Sequence, residues 1–191
     1  MVQFITVTQD MREAVIRHLR DSFFADEPLN KAVGLCQRGQ PHAALERLCV
    51  ATIADGLSVA AVERDTVLGS SDEKYNKIFN ILYTVSRDLE LFQTFGVDRV
   101  LECRIVSVSE HARGRGLAKE LMKRSIQIAM DHGFKLFKVD ATGAYSQRIC
   151  SSLGLRVLQK VRYSEHCDQN GPIFKVPPPH DSLCIMALEI P

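Results

Sequence analysis

Arg113-Gly114-Arg115-Gly116-Leu117-Ala118 is the segment whose residue types and spacing best suit a chemical task, and that task is holding an anion. It lies between a strand-like run, Arg99 to Val108, and an amphipathic run, Leu117 to His132, so it opens a helix. The amide N–H groups of a first helical turn have no intrahelical partners and sit at the positive end of the helix dipole, which favours phosphate. Gly114 and Gly116 permit close approach of the backbone, and the guanidinium groups of Arg113 and Arg115 can grip phosphate oxygens in a bidentate fork. No Lys-Ser or Lys-Thr pair follows the last glycine and no third glycine follows three residues on. A Walker loop and a dinucleotide fingerprint are therefore both excluded. On these letters alone, an ordinary glycine turn with solvated arginines stands equally open.

The elements that must position this loop follow from periodicity. Phe4 to Val7 alternates like a half-buried strand, and Asp10 stands three residues before Glu13 in a capping-box pattern that predicts a helix from Met11. Val15, Ile16, Leu19 and Phe23 give it one apolar face until Pro28 disfavours helix at Glu27, which puts Glu27 just beyond the helix end. Pro41 can open a second helix with Ala44, Leu45 and Leu48 inward, and Leu57 to Glu63 reads as a strand. Asp72 to Phe95 carries Tyr75, Ile78, Phe79, Leu82, Val85, Leu89 and Phe92 at helical steps and is closed by Gly96. After the helix Leu117 to His132, closed by Gly133, come a strand from Phe134 to Val139 and a short helix from Ala144 to Leu153. Strands follow from Leu155 to Tyr163, Ile173 to Val176 and Leu183 to Ile190, with a turn at Asn170-Gly171-Pro172. Strands interleaved with helices, then a strand-rich end, predict one α/β domain over residues 1–191: a mixed sheet flanked by helices.

Composition narrows the function classes. A hydrophobic fraction of 46% with 25% charged residues is that of a soluble globular protein, and no apolar run reaches the roughly 20 residues of a membrane span. A net charge of +1 without a basic block or an RNA-binding aromatic signature argues against a nucleic-acid polymer, so the expected anion is small. Cys36, Cys49, Cys103, Cys150, Cys167 and Cys184 show none of the paired spacings of zinc or redox motifs, which predicts free thiols and no metal. The start Met1-Val2-Gln3-Phe4 has no leader pattern, and a cytoplasmic location is expected.

Ile105-Val106-Ser107-Val108 followed by Arg113 to Ala118 resembles motif A of the GCN5-related N-acetyltransferases, with Arg113, Gly116 and Ala118 at the motif's defining positions. The resemblance implies that family's fold, a mostly antiparallel central sheet between helices, and acetyl-CoA as cosubstrate. It also implies that the backbone of Val106, Ser107 and Val108 binds the pantetheine arm, while the amides of Arg113, Gly114, Arg115, Gly116, Leu117 and Ala118 hold the pyrophosphate. Ser146 to Leu155 resembles the family's second coenzyme-contacting helix and the strand after it. Many members carry a tyrosine, the acid for the departing thiolate, where this chain has Cys150, so that role would pass to Tyr145 or to water. Phe23 to Asn30, with Tyr145-Ser146 and the tail Pro177 to Leu188, resembles the insect arylalkylamine N-acetyltransferases, in which a glutamate before Pro-Leu is the base. That assigns the base to Glu27. Members are usually longer where this chain passes from Val67-Leu68-Gly69 to Asp72, which predicts a shortened sheet edge or a more open pocket.

The chemistry this implies is direct acetyl transfer in a ternary complex. A primary alkylamine has a pKa near roughly 10, so a base must take its proton before it attacks a thioester. Glu27 serves if burial raises its pKa; otherwise it is a solvated loop acid. Asp26, beside it, points elsewhere in an extended segment. Tyr145, Ser146 and Thr142 offer hydroxyls for the pantetheine or the leaving thiolate, although Thr142 reads rather as a helix cap. His111 and His180 read as polar surface, Phe23, Phe24 and Tyr83 as core at helical spacing, and Cys150 as a packing residue. The resemblance points to an arylalkylamine acceptor of the dopamine, serotonin, tyramine or octopamine type. An agmatine or polyamine acceptor, which would need extra acids for its distal cation, and a noncatalytic coenzyme A-binding module are the alternatives. Oligomeric state is left open.

Overall fold

The computed structural model describes residues 2–61 and 73–191. Four strands form the main sheet: β3 (Val100–Glu102), β4 (Leu136–Ala141), β8 (Ser182–Glu189) and β5 (Arg156–Arg162), in the order β3-β4-β8-β5. The β3–β4 pair is parallel, and β8 runs antiparallel to both β4 and β5. A separate antiparallel pair joins β1 (Phe4–Thr6) to β2 (Val59–Ala61), and a small hairpin joins β6 (Cys167–Asp168) to β7 (Gly171–Pro172).

Alternation along the central strands builds two cores. Leu183 and Ile185 of β8 face α1 (Arg12–Asp21), α2 (Phe23–Asp26), α3 (Pro28–Val33), α4 (Ala43–Ala54) and α5 (Glu73–Arg87), packing with Ile16, Phe24, Leu29, Leu45 and Ile81. Cys184 and Met186 face the other way, with Phe137, Val139 and Ala141 of β4, toward α7 (Leu117–Asp131) and α8 (Ala144–Ser151). In α7 the inward residues are Met122, Ile126 and Ala129, four and three apart, as one helical face requires. Cys150 is fully buried in this second core and packs as expected.

Several elements differ from the sequence expectation. The helix expected from Met11 starts at Arg12 after a 3-10 turn, and Asp10 makes no capping bond. It breaks at Ser22, whose hydroxyl bonds the carbonyl of His18 at 2.5 Å, and a new short helix starts at Phe23. Such back-bonding by serine bends helices. Pro28 does stop α2, but it also opens α3 as its first residue, so Glu27 caps a helix and is not in a loop. His42, not Pro41, precedes α4. The long helix is two, α5 and α6 (Leu91–Phe95), separated where Glu90 adopts a positive φ of 42°. Phe92 and Tyr83 point outward, Tyr83 at 68% exposure, so neither is core. Residues 173–176 form no strand; the hairpin lies at 167–172. Val67-Leu68-Gly69 and Asp72 lie outside the described residues, as does the end of the strand expected through Glu63.

Candidate active site

The cleft begins where β3 and β4 part. Their register runs from Val100–Leu136 to Glu102–Lys138, and Cys103 N–H donates to Lys138 O at 2.9 Å. Beyond that, β4 continues to Ala141 along β8 alone, while the chain through Val106, Ser107 and Val108 runs on outside the ladder. The strand expected over residues 99–108 is therefore laddered only at 100–102. Its remainder has unused backbone groups, which must find partners elsewhere.

At the end of that wall, Arg113 to Gly116 turn the chain into α7. Gly114 and Gly116 have φ of 75° and 74°, the left-handed region that glycine alone enters without strain. Gly116 is the N-cap, and no side chain caps the helix, so the first-turn amides remain available to a ligand. Arg115 is exposed. Arg113 is not a free phosphate ligand as it stands. Its Nη2 donates to Asp26 Oδ2 at 2.5 Å and its Nε to Val108 O at 3.3 Å. Asp26 ends α2 and also accepts from Arg38 at 2.7 Å, so it faces the loop instead of pointing away.

Glu27 follows directly. Its Oε2 accepts the Asn30 amide at 2.7 Å as the N-cap of α3, while Oε1 is buried without a hydrogen-bond partner. The residue is only 8% exposed. Burial pushes its pKa up, and the Thr142 hydroxyl and the Asn30 and Leu29 amides oppose that rise without cancelling it. It is no solvated loop acid.

Three residues that sequence reasoning left aside gather around residues 141–144, beside Glu27 and its partner Thr142. Tyr163 donates its hydroxyl to Thr142 O at 2.6 Å, and its own pKa is raised by burial first and by Glu27 second. His180 Nδ1 accepts the Ala144 amide at 3.1 Å, so it caps α8 in place of Thr142, which makes no capping bond. Burial lowers the His180 pKa, helped by Arg148 and Lys31. Gln147 Nε2 donates to Ala141 O at 3.0 Å and to Ser182 O at 2.8 Å, tying α8 to the ends of β4 and β8. Gly143 is the contact point. A Cβ there would lie 2.9 Å from His180 Nδ1 and 3.1 Å from Pro28 Cγ. Ser146 donates to Gly143 O at 2.8 Å, and Tyr145, 59% exposed, meets His180 edge-on at 5.2 Å.

A cavity of about 750 Å³ adjoins the splayed segment and the glycine loop. It is lined by α1, α4, β2, residues 100–109 and Arg115, Leu117 and Leu121, with no residue of β4 or α8. Its wall reaches Ala61, the last residue described before 73, so its volume counts the described residues alone.

An acetyltransferase (GNAT) family model matches residues 80–154, which span the splayed strand, the glycine loop, α7, β4 and α8. Arylalkylamine N-acetyltransferase 2 from Aedes aegypti is 40% identical, and its structure superposes with a TM-score of 0.93 over 100% of this chain and 99% of that one. The chain belongs to the GNAT family. It is an N-acetyltransferase with the GNAT fold, and the family's acyl donor is acetyl-CoA. Polyamine N-acetyltransferase from Drosophila melanogaster, described as forming N-acetylagmatine, is 24% identical with a TM-score of 0.83 over the whole of both chains, a likeness of fold. Among the described residues, no helix is long and apolar enough to cross a membrane.

Of the residues singled out in the sequence, the GNAT structure brings Glu27, Thr142, Tyr145 and Ser146 around the start of α8. It sets Arg113 against Asp26, the neighbour of Glu27. His111 lies outside this group, exposed beside the glycine loop. His180, Tyr163 and Gln147 carry no local signal, because each has a partner 21 to 36 residues away.

Proposed function

We propose that this enzyme acetylates a small arylalkylamine and that Glu27 takes the amine's proton. The observation that carries it is the state of that carboxylate: held by one oxygen, buried, its other oxygen unpartnered, and its pKa raised toward the working range. A base is most effective when its pKa approaches the operating pH.

In the proposed reaction, the amides of Gly114 to Ala118 hold the coenzyme pyrophosphate, and the backbone of Val106 to Val108 aligns the pantetheine with the parted edge of β4. The ammonium first loses a proton through Glu27 to solvent, and the neutral amine attacks the thioester carbonyl carbon. As the C–N bond forms, nitrogen gives one proton to Glu27, directly or through water. The tetrahedral adduct then collapses, the C–S bond breaks, and the thiolate takes a proton from Tyr145, Ser146 or water, leaving the amide and free coenzyme A. Ser146 would have to leave Gly143 O to do so, whereas the exposed Tyr145 hydroxyl is the less committed donor.

An arylalkylamine is favoured over a polyamine because, among the described residues, the carboxylates at the parted strands and the glycine loop are already paired. Glu102 and Asp140 both bind Lys138, and Asp26 holds Arg38 and Arg113. None of these is left to hold a distal cation. Free thiol released from acetyl-CoA across a panel of dopamine, serotonin, tyramine, octopamine, agmatine and spermidine tests the proposal. Turnover confined to agmatine or spermidine would reverse the acceptor assignment, and release independent of any amine would remove the acyltransfer role.

A further inference from the structure

The splayed segment Ser107–Ser109 has lost β4 as a partner, and α1 meets it with polar side chains. Ser22 Oγ lies 2.8 Å from Ser107 Oγ, and His18 Nδ1 lies 3.2 Å from Ser109 Oγ. His18 and Ser22 are four apart, and Ser107 and Ser109 two apart. One face of a helix therefore matches one face of an extended strand.

The protons can be placed. Ser22 spends its O–H on His18 O, so its oxygen accepts the Ser107 O–H and faces the ring Nε2 at 3.5 Å. Nε2 then carries the ring proton, and Nδ1 accepts from Ser109. Burial lowers the His18 pKa, with the Ser107 carbonyl and Asp21 opposing and His111 assisting, which favours the neutral ring. Behind these contacts is a polar cavity of about 320 Å³, lined by Arg17, Asp21, Arg38, Glu110 and His111 as well as His18, Ser22 and Ser109. Close apolar packing does not hold the segment there.

We propose that His18 and Ser22 form a polar clasp that fixes the segment Ser107–Ser109 at the spacing from β4 that admits the pantetheine arm. They are positioning residues for acetyl-CoA, not for the amine. This rests on the coenzyme assignment of Val106 to Val108 above. The strand wall of a cleft that must stay open cannot be set by a ladder bond to the opposite wall. It has to be set from behind.

Steady-state kinetics of the full chain with acetyl-CoA and its best amine from the panel test the clasp. His18→Ala and Ser109→Ala each remove the same hydrogen bond. Each should raise KM for acetyl-CoA about three- to tenfold, the worth of one such bond, with kcat and the amine KM changed by less than about twofold. The double variant should be no worse than the weaker single, and His18→Asn, which places an acceptor near the Nδ1 position, should restore most of the loss. His18→Asn also keeps a polar side chain, so its comparison with wild type remains decisive if His18→Ala fails to fold. An unchanged KM for acetyl-CoA in both single variants, multiplied effects in the double, or no rescue by asparagine would overturn the clasp. Wild-type protein that releases no thiol with any amine would overturn the acyltransfer proposal and the clasp with it. Wild-type activity beside insensitive variants would overturn the clasp alone.

Discussion

A side chain at Gly116 would meet no atom within 4 Å, whereas one at Gly143 would sit 2.9 Å from His180 and 3.1 Å from Pro28. The two glycines mark the two halves of the site, and they are there for different reasons. At Gly116 the constraint is conformational, a φ of 74° in an open loop whose amides must be reachable by a large charged ligand. At Gly143 the φ is an ordinary −143°, and the constraint is space, because the starts of α3 and α8 close on each other around Glu27. The half proposed for the coenzyme offers exposed backbone dipoles, which need no burial to attract a phosphate. The half around Glu27 is buried, and removing a carboxyl from water raises its pKa. The proposed site is thus open where charge would be bound and closed where a proton would be taken.

The sharpest break in this comparison comes from the closed half. Glu27→Gln keeps the shape and an oxygen for the Asn30 amide but cannot accept a proton. It should lower kcat/KM for the amine by about 100- to 10,000-fold. Coenzyme A affinity measured by calorimetry should hardly change. In wild type the rate should fall as pH drops through the raised Glu27 pKa, which lies above its ordinary value of 4.5, and that acidic limb should move or vanish in the variant. Most of the activity surviving would mean that another group takes the proton.

The open half should break differently. Gly116→Val puts a β-branched residue at a positive φ and a Cβ where phosphate must approach, so coenzyme A binding should weaken by about 10- to 100-fold, from a strain of roughly 1–3 kcal/mol. The free space around Gly116 predicts that the variant still folds. Calorimetric affinity equal to wild type would remove the loop from the coenzyme site. Gly143→Ala should do the reverse. Its Cβ would push His180 off the Ala144 amide and press on Pro28. The expected result is a loss of about tenfold in kcat, equivalent to one hydrogen bond and its geometry, with coenzyme A affinity kept. Arg113→Ala should weaken coenzyme A binding less than Gly116→Val, about three- to tenfold, because its guanidinium already has Asp26 and gains only the difference between two partners. A larger loss would show that Arg113 leaves Asp26 and binds the phosphate outright.

The same contrast explains what the amino-acid sequence could reveal. The glycine loop was legible because its geometry resides in consecutive residues and in the helix they open. The central strands and α7 were legible because their apolar periods are long. In the closed half, Glu27 was reached only through the family resemblance, and its surroundings were not legible. Nothing local predicts that Ser22 turns its hydroxyl onto His18 O and ends a helix whose apolar steps continue to Phe23. Pro28 was read as a stop, although proline at a first helical position is also a start, and that second role is what makes Glu27 a cap. His180 resembled surface because its partner, the Ala144 amide, is contributed by a distant part of the chain. Tyr83 and Phe92 fit a helical period whose continuity Glu90 interrupts, so the period overstated the core.

The smallest expected signal separates a base from a cap. A carboxyl whose pKa is higher in the folded chain than in the unfolded one costs stability. That cost is fully present above the folded pKa and disappears below the unfolded one, because the folded state binds the proton more tightly. For Glu27 the window opens near 4.5 and extends upward to the raised value. Glu27→Gln carries no charge to bury, yet it can still accept the Asn30 amide. Its Tm should therefore exceed that of wild type at pH 8, and the two should converge as pH falls toward 4. Were Glu27 conserving the fold as a helix cap alone, its charge would favour the positive end of α3, and the neutral variant would melt lower at pH 8. Melting curves at pH 4, 6 and 8 decide between the two. A variant that is both slower and more stable is the mark of a carboxylate kept dry for chemistry at the expense of the fold.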